Sequence, residues 1–215
     1  MSICVIGLGK LGYPMAEFLS SSGESINCYD INEKHVLSLS KGESYLEFEN
    51  GLEKFSKNGN DLNYFLKLDD ALKDTDICFI TVPTPSDEKG SFKNEFILKV
   101  LDQISDYIIK AVKRNKPYFI NINSTVMPYS FKEVFIPYMR EKGLIDSKDY
   151  SFIYNPYFVA LGEVVKGLEN PDIVLIGNNS QQALNYLMGI YNKIYDKEII
   201  FKTISLEEAE FSKLL

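Results

Sequence analysis

Ile3-Cys4-Val5-Ile6, followed at once by Gly7-Leu8-Gly9-Lys10-Leu11-Gly12, decides the fold of this chain. The first four residues are apolar and mostly β-branched, the composition of a strand buried on both faces. Beyond the glycines, Leu11, Met15, Phe18 and Leu19 recur at helical spacing until Ser20-Ser21-Ser22-Gly23 stops the helix. Strand, glycine turn and helix in that order have a mechanical logic. The first glycine makes the tight turn, the second lets a pyrophosphate approach the backbone, and the third lets helix and strand pack closely. The helix N-terminus adds free N–H groups and the positive end of its dipole. Gly7, Gly9, Lys10, Leu11 and Gly12 are therefore candidate contacts to a dinucleotide.

Reading outward, Ile26–Tyr29 is a second strand and ends at Asp30, 18 residues beyond Gly12. A carboxylate there accepts hydrogen bonds from adenosine ribose hydroxyls and repels a 2′-phosphate, so the pattern points to NAD rather than NADP. Asp30-Ile31-Asn32 equally suits a plain turn into the next helix, which carries Val36, Leu37 and Leu39.

The alternation of apolar runs with helical periods continues along the chain. Strands are expected at Phe65–Leu68, Ile77–Val82, Tyr118–Ile122, Ser151–Tyr154, Ile173–Ile176 and Ile199–Phe201. Between them lie a brief helix at Ala71 and Leu72, a long one with Ile97, Leu101, Ile104 and Ile108, one from Phe131 to Lys142 interrupted near Pro137, and one over Ala183–Tyr195. The stretch from Lys41 to Asn63 reads as loop with a short helix at Leu52–Phe55. Ser205 with Glu208 three residues on is a capping-box pattern that starts a last helix. The fold class is α/β: a Rossmann-type, doubly wound, mainly parallel sheet with helices on both faces. The expected division is a nucleotide-binding domain over 1–204 and a connecting helix over 205–215. That helix carries Leu206, Phe211, Leu214 and Leu215, an apolar face in want of a partner.

Composition excludes several other functions. The 215 residues are 45% hydrophobic and 25% charged, as in an ordinary globular chain rather than a disordered one. A net charge of −7 repels phosphate backbones, and the densest basic cluster, Lys110, Lys113, Arg114 and Lys116, lies at the polar end of a helix, so neither nucleic acid nor a membrane is expected as partner. No apolar run approaches the ~20 residues that span a bilayer. Cys4, Cys28 and Cys78 sit inside strand-like runs and read as buried thiols of a cytoplasmic protein. With one histidine and no paired cysteines, no metal site is expected.

Further motifs connect the chain to a known family. Val82-Pro83-Thr84-Pro85, Ser124-Thr125-Val126 followed by Pro128, Tyr154 to Gly162, Asn170-Pro171-Asp172 with Val174 to Gly177, and Glu208-Ala209-Glu210 with Lys213 stand in order beside the glycine motif and Asp30. In these the chain resembles the N-terminal NAD-binding domain of the UDP-glucose/GDP-mannose dehydrogenase family, over essentially its whole length. The resemblance implies NAD as cofactor, a nucleotide sugar as substrate, a homodimer for the full-length protein (with a monomer open for this chain alone), and a place in polysaccharide biosynthesis. It implies that Thr84, Ser124 and Thr125 line the nicotinamide side. It also puts His35 at a position where a basic residue usually attends the cofactor. Two oxidations at the sugar C6 would pass hydride to NAD, through a cysteine-bound aldehyde, with Lys213 stabilising an oxyanion. From the residues alone, Thr84 also fits a turn, Ser124 an N-cap, and His35 and Lys213 solvated surface positions.

The departures are as informative. The family's asparagine–proline–glutamate reads Asn155-Pro156-Tyr157 here, and Leu161 stands at a second glutamate position. A phenol is a far weaker base than a carboxylate at neutral pH, and leucine transfers no proton. Tyr157 is thus a doubtful catalytic residue, with Glu163 nearby as its conceivable substitute. No cysteine follows Cys78, whereas the family's nucleophile lies in a C-terminal sugar-binding domain. The leading expectation is the cofactor domain of a longer dehydrogenase, inactive by itself; the alternative is a non-catalytic module that binds NAD or a nucleotide sugar.

Overall fold

The computed structural model describes residues 2–43, 62–111, 115–160, 162–196 and 198–215. The short helix expected at Leu52–Phe55, and Leu161, Lys113 and Arg114, lie outside them. The strands are β1 (Ser2–Ile6), β2 (Ser25–Tyr29), β3 (Leu62–Phe65), β4 (Ile77–Ile80), β5 (Tyr118–Ile122), β6 (Tyr150–Tyr154), β7 (Val174–Asn178) and β8 (Phe201–Ile204). They form one sheet in the order β3-β2-β1-β4-β5-β6-β7-β8. Every neighbouring pair is parallel except β6 with β7. This is the doubly wound architecture expected from the sequence, and its order reverses between β1 and β4. At such a reversal the loops leaving the strands' carboxyl ends diverge and open a crevice.

Period-two alternation sends side chains to two cores. Ile3, Val5, Ile77 and Phe79 face one layer, with α1 (Gly12–Ser20), α2 (Glu33–Ser40), α6 (Val164–Glu169) and α7 (Gln181–Ile194). Cys4, Ile6, Cys78 and Ile80 face the other, with α3 (Leu68–Leu72), α4 (Glu95–Lys110), α5 (Ile136–Glu141) and α8 (Leu206–Leu214). Helix α1 is buried along its whole length, which explains why so little of it is charged. Pro14 sits in its first turn, where no intrahelical N–H is required.

Several expected boundaries shift, each for a local reason. The third strand is Leu62–Phe65, not Phe65–Leu68, because Ile26–Tyr29 of β2 pair with exactly those four residues, and Leu68 turns into α3 to bury its side chain. β4 ends at Ile80, the last of its residues in register with β1; the Thr81 N–H closes that ladder on Ile6 O at 2.9 Å, and among the described residues beyond it none pairs with β1. β8 is Phe201–Ile204 rather than Ile199–Phe201, in register with Val174–Gly177; Ile200, before it, is exposed. The helix interrupted at Pro137 begins as a wide π turn over Phe131–Phe135, in which the Ile136 N–H reaches back five residues to Phe131 O. The α-helical turns resume with Pro137 in their first turn, where its missing N–H costs little. Helix α6 is not anticipated from the sequence.

At the C-terminus the capping box forms as read: Ser205 Oγ accepts from the Glu208 N–H at 3.2 Å and Glu208 Oε2 from the Ser205 N–H at 2.9 Å. Helix α8 buries Leu206, Ala209 and Glu210, while Phe211, Leu214 and Leu215 stay exposed.

In the middle of β5, Asn121 is completely buried and neither atom of its amide has a hydrogen-bond partner among the described residues. A buried amide without partners costs on the order of 1–3 kcal/mol. Asn121→Leu, close in shape, should therefore raise stability in chemical denaturation by about that much; a destabilised variant would show that the amide is satisfied.

Candidate functional site

The cavity at the β1/β4 reversal has a volume of about 500 Å³. This lies within the range of roughly 300–1,000 Å³ typical of small-molecule sites. Its wall is built from the carboxyl ends of five strands: Gly7, Gly9, Lys10 and Leu11 after β1; Asp30 and Ile31 after β2; Thr81 to Thr84 after β4; Asn123, Ser124 and Thr125 after β5; and Tyr157 after β6. Nine predicted residues, Gly7, Gly9, Lys10, Leu11, Asp30, Thr84, Ser124, Thr125 and Tyr157, meet there. Gly12, His35 and Lys213 lie outside the lining.

The three glycines do different work. Gly7 has φ +91°, a conformation side chains rarely adopt. A Cβ on Gly12 would stand 1.8 Å from Gly7 O and 2.4 Å from Thr81 Oγ1, so only glycine lets α1 start this close to the turn. A Cβ on Gly9 would meet nothing within 4 Å. Gly9 is thus not needed for packing; the space beside it is open to the cavity. Thr81 Oγ1 ties the turn down by donating to Gly7 O at 2.6 Å.

Asp30 and His35 hold the two successive peptides that flank Leu8. The Leu8 N–H donates to Asp30 Oδ2 at 2.7 Å, and the Asn32 N–H to Oδ1 at 2.8 Å. His35 Nε2 lies 2.9 Å from Leu8 O and, facing a carbonyl, donates to it. His35 therefore braces the glycine turn from outside the cavity.

On the other flank, Ser124 Oγ donates to Val82 O at 2.6 Å, joining the loops after β4 and β5. Its lone pairs remain, and Thr84 and Thr125 line the wall half-buried. Tyr157 is turned inward. Asn155 Nδ2 donates to Leu175 O at 2.7 Å, so Asn155 Oδ1 must accept from Tyr191, at 2.5 Å; the Tyr157 hydroxyl in turn donates to Tyr191, also at 2.5 Å. Burial pushes the Tyr157 phenol well above its ordinary value. With its proton committed and its anion disfavoured, Tyr157 stands in the cavity wall as a buried, hydrogen-bonded phenol rather than a free base. Glu163 does not replace it, since it is exposed, pairs with Lys166 at 3.4 Å and lies outside the lining.

Lys213 on α8 donates to Tyr157 O at 2.8 Å, with its Nζ 4.7 Å from the centre of the Phe158 ring. Burial lowers its pKa. It stands behind the β6 loop, beside the cavity. Three residues earlier, the fully buried Glu210 accepts from the N–H groups of Tyr129 (2.8 Å) and Phe131 (2.9 Å), across the loop that follows Thr125. All three cysteines are buried, and burial raises each thiol.

One wall escaped the sequence reading. Phe96, Lys99, Val100 and Gln103 of α4 overhang the cavity opposite Ile31. They flank the Ile97-Leu101-Ile104 stripe that faces the sheet, and only the strand order shows what that flank covers. A larger, open groove of about 710 Å³ between α8 and β7–β8 contains none of the predicted residues. Among the described residues no cluster of metal-ligating side chains occurs, and no helix is long and apolar enough to cross a membrane.

A glycine turn at the switch point, a helix start at its mouth and an acidic residue closing β2 define a dinucleotide-binding domain of the Rossmann type. The chain belongs to the UDP-glucose/GDP-mannose dehydrogenase family, whose NAD binding domain matches residues 1–195. It is 30% identical to the UDP-glucose 6-dehydrogenase of Rickettsia bellii over 216 aligned residues, 99% of this chain and 47% of that one. With the GDP-mannose 6-dehydrogenase of Pseudomonas syringae the identity is 28%, over 97% of this chain and 47% of the relative. The GDP-mannose dehydrogenase of Pseudomonas aeruginosa, solved as a ternary complex, superposes with a TM-score of 0.88 at 28% identity, covering 100% of this chain and 48% of that structure. The chain spans about half the length of these three relatives.

Two substitutions separate the roles of these residues. Gly9→Val should melt like the parent yet lose NADH binding, whereas Gly12→Val should fail to fold; normal NADH binding by Gly9→Val would place the phosphates elsewhere. Tyr157→Phe should cost about 1 kcal/mol of stability, the value of one hydrogen bond, and leave NADH affinity unchanged. A large loss of NADH affinity would return the phenol to the binding machinery.

Proposed function

We propose that these residues form the NAD-binding part of a nucleotide-sugar 6-dehydrogenase, which oxidises a sugar C6 alcohol to a carboxylate. The observation that carries this is the cavity itself, in which the glycine turn, Asp30, Thr84, Ser124 and Thr125 converge at the strand-order reversal. The fit to the cofactor rests on the open space beside Gly9 and on the Asp30 carboxylate at the far end of the same wall. NAD, when bound, supplies the hydride acceptor.

The residues of this chain do the rest. First-turn amides of α1 and the Lys10 ammonium face the pyrophosphate charge. Asp30 spends one lone pair on each of two backbone N–H groups and keeps others for the ribose hydroxyls, while its charge opposes a 2′-phosphate. Thr84, Ser124 and Thr125 border the nicotinamide half. Ser124, its proton given to Val82 O, serves there as an acceptor. Lys213 lies behind the β6 loop, its ammonium held by Tyr157 O; in this reading it leaves that carbonyl to stabilise negative charge developing on the substrate oxygen. In this reading the nucleophile of the second oxidation lies outside these 215 residues, which the burial of Cys4, Cys28 and Cys78 supports. We further place residues 1–204 in the nucleotide-binding domain and 205–215 in a helix leading to a sugar-binding domain. In this reading the full-length protein is a cytoplasmic homodimer that supplies uronic acids for polysaccharide biosynthesis.

A second reading, a non-catalytic module that binds NAD or a nucleotide sugar, is favoured by one observation: the inward-locked Tyr157 leaves the cavity without a base at that position.

Binding measured by NADH fluorescence should favour NADH over NADPH by at least about tenfold, the effect of roughly 1.4 kcal/mol of charge repulsion. Equal affinities would remove Asp30 from the ribose site. With UDP-glucose and NAD the chain should form no uronate; measurable product would contradict the assignment of the nucleophile.

A further inference from the structure

We propose that Glu210 is a positioning residue for the nicotinamide half of the cavity: through two backbone N–H groups it fixes the loop that carries Ser124 and Thr125. This rests on the reading of that loop as the nicotinamide wall.

The loop from Ser124 to Phe131 is pinned at both ends. At its start, Ser124 Oγ donates to Val82 O. At its end, Tyr129 and Phe131 donate their N–H groups to the two oxygens of one carboxylate, 81 and 79 residues away in sequence. Glu210 is completely buried, so no solvent shares this work. The clamp also falls on an unusual backbone. Tyr129 has φ +67°, a left-handed conformation that a bulky side chain adopts only when its surroundings impose it. The Tyr129 ring meets Phe211 of the same helix edge to face, with centroids 5.4 Å apart. Helix α8 thus grips the loop by a carboxylate and by a ring. One turn further on it presents Lys213 to Tyr157 O, so a single helix sets both the β5 loop and the β6 loop at the cavity.

The consequence is selective. Among the described residues, the hydrogen bonds of Glu210 go to the loop after Thr125 and not to the Asp30 side, so loosening the clamp should disturb the nicotinamide half and spare the adenosine half. A glutamine at 210 offers one acceptor oxygen and sets its NH2 against the second N–H. In Glu210→Gln the NADH dissociation constant should rise about tenfold, the scale of one lost charge-assisted hydrogen bond. That of ADP-ribose, which lacks the nicotinamide, should change less than about twofold. A purely structural role would lower the melting temperature and leave the ratio of the two constants unmoved. Thr125→Val, measured in parallel, separates the two layers of the reading. A raised ratio in both variants supports the proposal. A raised ratio in Thr125→Val alone overturns the role of Glu210, and an unmoved ratio in both overturns the nicotinamide assignment of the loop and the proposal with it. Should Glu210→Gln fail to fold, Phe211→Ala, at an exposed position, carries the test: a smaller rise of the same ratio supports the clamp, and an unchanged ratio overturns it.

Discussion

The backbone of Leu8 is held at both ends, its N–H by the carboxylate of Asp30 and its carbonyl by the ring of His35. A hydrogen bond to a charged group contributes about 1.5–3 kcal/mol, enough to fix one conformation of a turn that glycine would otherwise leave mobile. Gly7 then takes its left-handed φ, Thr81 closes on its carbonyl, and α1 begins so near that Gly12 has no room for a side chain. What remains open is the space beside Gly9. The cavity is therefore a product of the hydrogen bonds behind the turn as much as of the glycines in it.

This geometry removes an opposition present in the sequence. Asp30 reads either as a ribose ligand or as the start of a turn, and the two readings do not compete, since it makes the turn while lining the cavity. One oxygen organises the glycine turn, the other the entry to α2, and the carboxylate still lines the cavity. His35, by contrast, belongs to the scaffold. An i, i+5 relation to Asp30 says that the two are neighbours, not which of them faces the ligand.

Legibility followed the range of the forces involved. Elements with strong local signals, such as β1, β5 over Tyr118–Ile122, and the Ser205–Glu208 box, stand where the sequence places them. β3 and β8 slipped because a strand's ends are set by its neighbour's register, which no local pattern contains. Helix α6 has Val164, Val165 and Leu168 as its buried residues, too short a stripe to mark a helix by period. The inward turn of Tyr157 depends on Asn155, Tyr191 and Leu175, from three separate elements. Such a network is visible only once the chain is folded, and it converts a phenol at a supposed catalytic position into part of the core.

The most direct test of the glycine turn as the dinucleotide cradle is amide hydrogen exchange of the chain with and without saturating NADH. Slowed exchange at Gly9, Lys10, Leu11 and Gly12, together with the Ser124–Thr125 segment, is the predicted result. NADH binding that leaves the amides of Gly9 to Gly12 exchanging as before would contradict it.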